Sequence, residues 1–153
     1  MRNSLLLCLL LAFVGCKSAT RLSIQPEEAD HHFIVRHSLS QTQAFNKTEA
    51  ALAEVYNDLP RVLVLKQPDT GTLILKPLVQ YQVGGALGQT QRARYTLKIV
   101  VSDKLAALDF VLGREETSGW NSYPPETEIP KIRAEFRSIA EKIAQAVAGT
   151  VEP

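Results

Sequence analysis

Four sets of residues in this chain have types and spacings that could do chemistry. Three histidines, His31, His32 and His37, fall in one stretch, HHFIVRH. Along a strand, at roughly 3.3 Å per residue, His31 and His37 share a face but stand about 20 Å apart, while His32 faces the other way. Imidazoles so placed do not close on one metal ion, and they read as solvated strand-end residues. Glu115, Glu116, Glu126 and Glu128 offer carboxylate pairs. Hydrolysis needs two carboxyls held at a set distance across a cleft, whereas loop glutamates are ordinarily solvated. Gly84, Gly85 and Gly88 lack the lysine of a phosphate loop and the full dinucleotide spacing, and read as a hairpin loop. Trp120 and Tyr123, in a long loop, are the best binding candidates: such aromatics anchor a partner or stack on a sugar, unless they fold back over the sheet or the last helix. No G-x-S-x-G or H-E-x-x-H pattern occurs. We therefore assign no catalytic residue, no metal and no cofactor, and read the chain as a non-enzyme.

The elements that must position these residues follow from periodicity. Residues 31–37 read as a first strand. Ser38 and Ser40 offer caps for a helix over 41–57, where Phe45, Thr48, Leu52, Val55 and Leu59 make an apolar stripe that Pro60 ends. RVLVLK at 61–66 reads as an interior strand, and Gln67 to Gly71 as a proline-glycine turn. Residues 72–83 form a strand interrupted at Pro77, which predicts an edge or a bulge. Residues 89–102 alternate most clearly: Tyr95, Leu97, Ile99 and Val101 on one face, Arg94, Thr96 and Lys98 on the other. After a turn at Asp103-Lys104, residues 105–112 return as a strand. A long loop over 114–130 leads to a helix over 131–148, with a stripe of Ile132, Phe136, Ile139, Ile143 and Val147 and Gly149 as its cap. The expected fold is α+β, with a single antiparallel sheet of about five strands, two amphipathic helices on one face, and the order β-α-β-β-β-β-α.

The N-terminus carries an address. Arg2 precedes ten uncharged residues, Leu5 to Val14, which matches a secretory signal and is too short to span a bilayer. Phe13-Val14-Gly15-Cys16 resembles the lipobox of bacterial lipoproteins. The resemblance implies cleavage before Cys16, diacylglycerol on the Cys16 thiol and acylation of the new N-terminus. Lys17 stands where an aspartate favours inner-membrane retention, so the resemblance implies an outer-membrane protein facing the periplasm. Residues 1–15 are then signal, 16–30 a lipidated tether, 31–149 the domain and 150–153 a tail. Loss of the signal removes Arg2 and no acid, leaving 16 bases against 16 acids. A neutral domain has no overall attraction for nucleic acid. Cys8 leaves with the signal and Cys16 is committed to lipid, so no disulfide can form.

A second resemblance rests on Phe33-Ile34-Val35, a Ser-capped helix ending near Tyr56, Asp69-Thr70-Gly71-Thr72-Leu73-Ile74, and Tyr95-Thr96-Leu97-Lys98-Ile99-Val100-Val101-Ser102-Asp103. Over roughly residues 31–112 these resemble the domain-of-unknown-function 4468 family, small and often lipoproteins, with a TBP-like fold. That implies the fold and no activity. The expected function is a non-catalytic binding or assembly module. Its membrane contact is the acylated Cys16, its partner an envelope protein, and its contact surface Arg94, Thr96 and Lys98 with the Trp120 and Tyr123 loop. A periplasmic small-molecule carrier is the alternative, and a hydrolase built on the loop glutamates ranks third. A Cys16→Ser chain should fail to incorporate labelled fatty acid and should leave the membrane fraction. Persistent acyl labelling of that variant refutes the anchor.

Overall fold

The structure, a computed structural model, describes residues 31–83, 88–113, 116–117, 120–121 and 124–153. The expected signal, Cys16, the tether, most of the glycine loop, Glu115 and Tyr123 lie outside these residues. In chain order the elements are β1 (His31–Arg36), α1 (Gln41–Val55), α2 (Leu59–Val62), β2 (Leu63–Gln67), β3 (Thr72–Leu75), β4 (Leu78–Val83), β5 (Gln89–Val101), β6 (Leu105–Leu112), β7 (Glu116–Thr117), β8 (Trp120–Asn121), α3 (Ile129–Ala146) and β9 (Thr150–Glu152). The main sheet has seven antiparallel strands. Six run in the order β2-β3-β5-β6-β1-β9, and β4 pairs with β5 beyond β3.

The period-2 pattern decides which side of the sheet is inside. On β5, Ala93, Tyr95, Leu97, Ile99 and Val101 are buried. Register brings Leu97 opposite Phe110 and Leu75, and Ile99 opposite Leu108 and Leu73, so the buried residues of successive strands line one face. Both long helices cover that face. α3 delivers Ile132, Phe136, Ile139 and Ile143 to it, and α1 delivers Phe45, Thr48 and Leu52. Phe136 stacks on Phe110 with ring centroids 4.4 Å apart and meets Tyr95 at 4.7 Å. α1 lies along α3, with Lys47 Nζ donating to the carbonyl of Ala146. Among the described residues no helix is long and apolar enough to cross a membrane.

Several expectations change in detail. The sheet has seven strands rather than about five. Residues 59–62 are one helical turn, because Pro60 presets a helical φ and has no N–H to lose in a first turn, so the strand expected over 61–66 starts only at Leu63. Pro60 thus starts a helix where it was expected only to stop one. The strand that follows, β2, pairs with β3 alone among the described residues and is an edge strand rather than the interior one expected. Pro77 splits 72–83 into β3 and β4, as expected, and its carbonyl still accepts from the N–H of Tyr95. The 114–130 loop contains the β7-β8 pair, and α3 begins at Ile129, with Pro130 in its first turn. The tail forms β9, which pairs with β1 and covers part of its edge. The serines do not cap α1 with their side chains. Its first N–H, on Gln41, donates instead to Asp103 Oδ1 at 2.8 Å, from the turn between β5 and β6.

Two backbone sites impose their residues. Gly71 has φ +66°, and a Cβ there would stand 2.0 Å from the carbonyl oxygen of Val101. At the end of α3 the left-handed residue is Ala148, φ 52°, and not Gly149. The N–H of Gly149 bonds back to Ala144 and that of Ala148 to Gln145, a Schellman closure with alanine in the position glycine usually holds. Gly149 is needed for a different reason: its Cβ would meet the Arg36 carbonyl oxygen at 2.2 Å. Opposite outcomes are expected in urea melts. Gly71→Ala should lose about 2 kcal/mol or more from the left-handed strain plus the clash. Ala148→Gly should gain up to about 1 kcal/mol.

Candidate functional site

The face of the sheet away from the helices carries three of the expected binding residues, Arg94, Thr96 and Lys98. Arg94 is exposed, and Thr96 and Lys98 are half-buried, all on the side of β5 opposite Tyr95 and Leu97. Register extends this face in rows. Ile74, Lys98, Asp109 and His32 lie side by side across four strands, and Thr72, Val100, Ala107 and Ile34 form the next row. Arg92 continues the stripe, two residues before Arg94. Trp120 lies in the short β8 strand. The sequence placed Arg94, Thr96 and Lys98 on a common face by alternation, and the fold keeps them there.

Asp109 is the residue that sequence reading passed over. It interrupts an apolar strand, LAALDFVL, and is only 6% exposed although it points away from the core. The Nδ1–H of His32 donates to its Oδ1 at 2.6 Å. The pair fixes one imidazole nitrogen and leaves Nε2 directed elsewhere. Along β1 the neighbours of His32 on this face are Ile34 and Arg36, and across the strands they are Asp109 and Lys98; none offers a hydroxyl or thiol for an imidazole to activate. At the sheet edge Arg36 Nε donates to Glu152 at 2.7 Å, which raises the guanidinium and lowers the carboxyl.

The other two histidines are not solvated strand ends. His31 is half-buried with its ring 5.7 Å from that of Phe136. His37 is 8% exposed, and neither of its ring nitrogens has a hydrogen-bond partner among the described residues. His31 falls in the alternation of Phe33 and Val35 and meets α3 through Phe136, and His37, one residue past β1, keeps the same alternation. Glu128 likewise takes a structural place. It accepts from Lys131 Nζ at 2.7 Å, which holds its carboxyl below the usual range, and the backbone N–H of Gln82 in β4 contributes to the same lowering. The carboxylate thereby answers a peptide group on a strand that, among the described residues, pairs with β5 alone. Glu126 is exposed in the preceding turn.

A groove of about 270 Å³ lies between the C-terminal end of α1 and α3, lined by Val55, Tyr56, Leu78, Glu135, Ser138, Ile139 and Lys142. At its edge the hydroxyls of Tyr56 and Tyr95 are 2.7 Å apart. Burial pushes Tyr56 up to about 12, with nearby Glu135 adding to it, and pushes Tyr95 further in the same direction. Glu135 itself, partly screened from water, is held above the usual carboxylate range. These shifts have a signed consequence. Below about pH 10 the phenols are neutral both folded and unfolded. Above it the unfolded chain releases protons that the folded chain retains, so stability falls as pH rises toward 12. The urea midpoint should therefore drop between pH 9 and 11.5, and the drop should be smaller in a Tyr56→Phe/Tyr95→Phe chain. An equal drop in both would place the alkaline sensitivity elsewhere.

Comparison with known proteins adds the fold's relationships. No protein-family model and no curated protein sequence matches the chain. Among solved structures, a TBP-like protein from Parabacteroides distasonis matches with a TM-score of 0.51 and 10% identity, covering 74% of this chain and 90% of that one. A DUF4468 family protein from Bacteroides ovatus matches with a TM-score of 0.48 and 11% identity, covering 76% and 84%. The first description is the fold that the sequence resemblance implied. At such identities the likeness is one of architecture: the fold is TBP-like.

Proposed function

We propose that this chain is a non-catalytic binding or assembly module of the cell envelope, held through an acylated Cys16 at the periplasmic side of the outer membrane, with the outer face of the sheet as its contact surface. One asymmetry carries the reading. The inner face is sealed by two helices and fully buried side chains such as Leu97, Leu108, Phe110 and Phe136, whereas the outer face leaves Ile34, Ile74, Thr96, Lys98, Val100, Ala107 and Val111 partly open. Apolar side chains left half-open across several strands, beside polar ones, give a partner both area to bury and groups to align against. Trp120 and Tyr123 are further contact candidates in this reading. The partner is another envelope protein. With bases and acids balanced once residues 1–15 are removed, overall charge gives the domain no attraction for nucleic acid.

The small-molecule carrier is the weaker rival. The space between sheet and helices, where a carrier would hold its cargo, is occupied by Tyr95, Phe110, Phe136 and Ile143, and the groove beside Tyr56 lies at its margin. Benzoylphenylalanine placed at Val100 on the outer face, and separately at Lys142 on the helix face, separates the readings in living cells. One recurrent envelope protein captured from position 100 and not from position 142 is the expected result. Capture from position 142 alone, or from neither in properly anchored protein, overturns the proposed surface.

A further inference from the structure

The helix side of the domain carries the groove of about 270 Å³ between the C-terminal end of α1 and α3. Glu135, Ser138, Ile139 and Lys142 line it from α3 at positions i, i+3, i+4 and i+7, a single stripe of one helix face. Glu135 and Lys142 therefore stand two turns apart, about 10 Å along the axis at about 1.5 Å per residue. They are too far apart to pair with each other, and neither joins an ion pair among the described residues. Between the two charges the wall is apolar. Ile139 comes from α3, Val55 from the end of α1, and Leu78 from the start of β4. Leu78 is left 49% exposed, an apolar side chain that the described fold does not cover.

We propose that this groove binds a short zwitterionic peptide, its ammonium at Glu135, its carboxylate at Lys142 and an apolar side chain over Val55 and Leu78. Length follows from the spacing of the charges. Three residues in extended form reach about 10 Å, whereas a single amino acid holds its two charges too close together to meet both. Ser138 is what favours a peptide over a plain ω-amino acid: its hydroxyl can donate to or accept from a backbone group held between the termini. Glu135 has a reason to take a cation. Partial burial holds its carboxyl above the usual carboxylate range, and an ammonium beside it offsets that cost. The volume, at the small end of ligand sites, suits a few residues rather than a folded partner. The site lies on the helix side and is independent of the outer face as a contact surface.

The tripeptide Ala-Leu-Ala, titrated into the full chain and followed by calorimetry and amide NMR shifts, tests this. It should bind and move the amide signals of Tyr56, Leu78 and Ile139. Acetylating its N-terminus or amidating its C-terminus should each weaken binding several-fold, the scale of one solvent-exposed ion pair. Glu135→Gln should weaken the uncapped peptide several-fold and leave the acetylated one unchanged. Lys142→Gln should weaken the uncapped peptide likewise and leave the amidated one unchanged. Both positions are exposed, and the fold of each variant is checked by circular dichroism. If either does not fold, the capped peptides on the unaltered chain decide alone. No binding, equal binding of capped and uncapped peptides, or losses that do not match residue to terminus overturn the proposal. Octanoate binding as tightly as the tripeptide would overturn it by removing the need for an ammonium, and ω-aminooctanoate doing so would remove the peptide. None of these outcomes alters what position 100 should capture.

Discussion

The stacking of Phe136 on Phe110 is the contact on which the architecture depends. It joins the middle of α3 to the middle of β6, and through Tyr95 and Phe33 it reaches β5 and β1 as well. Burying a phenylalanine in such a site is worth about 3–5 kcal/mol against alanine, a large fraction of what holds a domain of this size together. With α3 fixed there, α1 has a second helix to lie against and β9 is delivered to the edge of β1. Commitment of the aromatic rings to one face also leaves the opposite face without a helix of its own among the described residues. The open surface is thus a consequence of where the core was placed.

A good deal of this was legible because it is local. Alternation along Tyr95, Leu97, Ile99 and Val101 names the buried side of β5 before any partner is known, and the stripe from Ile132 to Ile143 does the same for α3. What escaped is what depends on distant partners. Ser38 and Ser40 look like caps, yet the N–H of Gln41 is answered by Asp103, 62 positions away. β9 is three residues long and too short for a pattern; it is a strand only because β1 offers an edge. His37 reads as a polar strand end because nothing nearby in the sequence announces that it is covered. Gly149 looks like a left-handed cap, but the turn is taken by Ala148 and the glycine answers a close backbone approach instead.

The candidate site divides the same way. Faces can be read from spacing, so Arg94, Thr96 and Lys98 were grouped correctly. Pairings cannot, so the engagement of Asp109 by His32 and of Glu128 by Lys131 and Gln82 emerged only from the fold. These pairings matter to the reading of function because they withdraw acids from play. A glutamate in a loop invites a catalytic role until it is found satisfying a backbone N–H on the open side of β4, a use that exposed edges routinely require.

The position of β1 has a mechanical meaning. It follows directly on residues 16–30, so in a chain held by its N-terminus any pull enters the domain at His31. β1 pairs along all six of its residues with β6, and over Ile34 to Arg36 it also has β9 on its other side. Inter-strand hydrogen bonds run across the strands, and a pull along β1 therefore loads the ladder in shear, many bonds at once, rather than unzipping it one bond at a time. The three-residue strand at the C-terminus doubles the grip at the end of β1 farther from the pull.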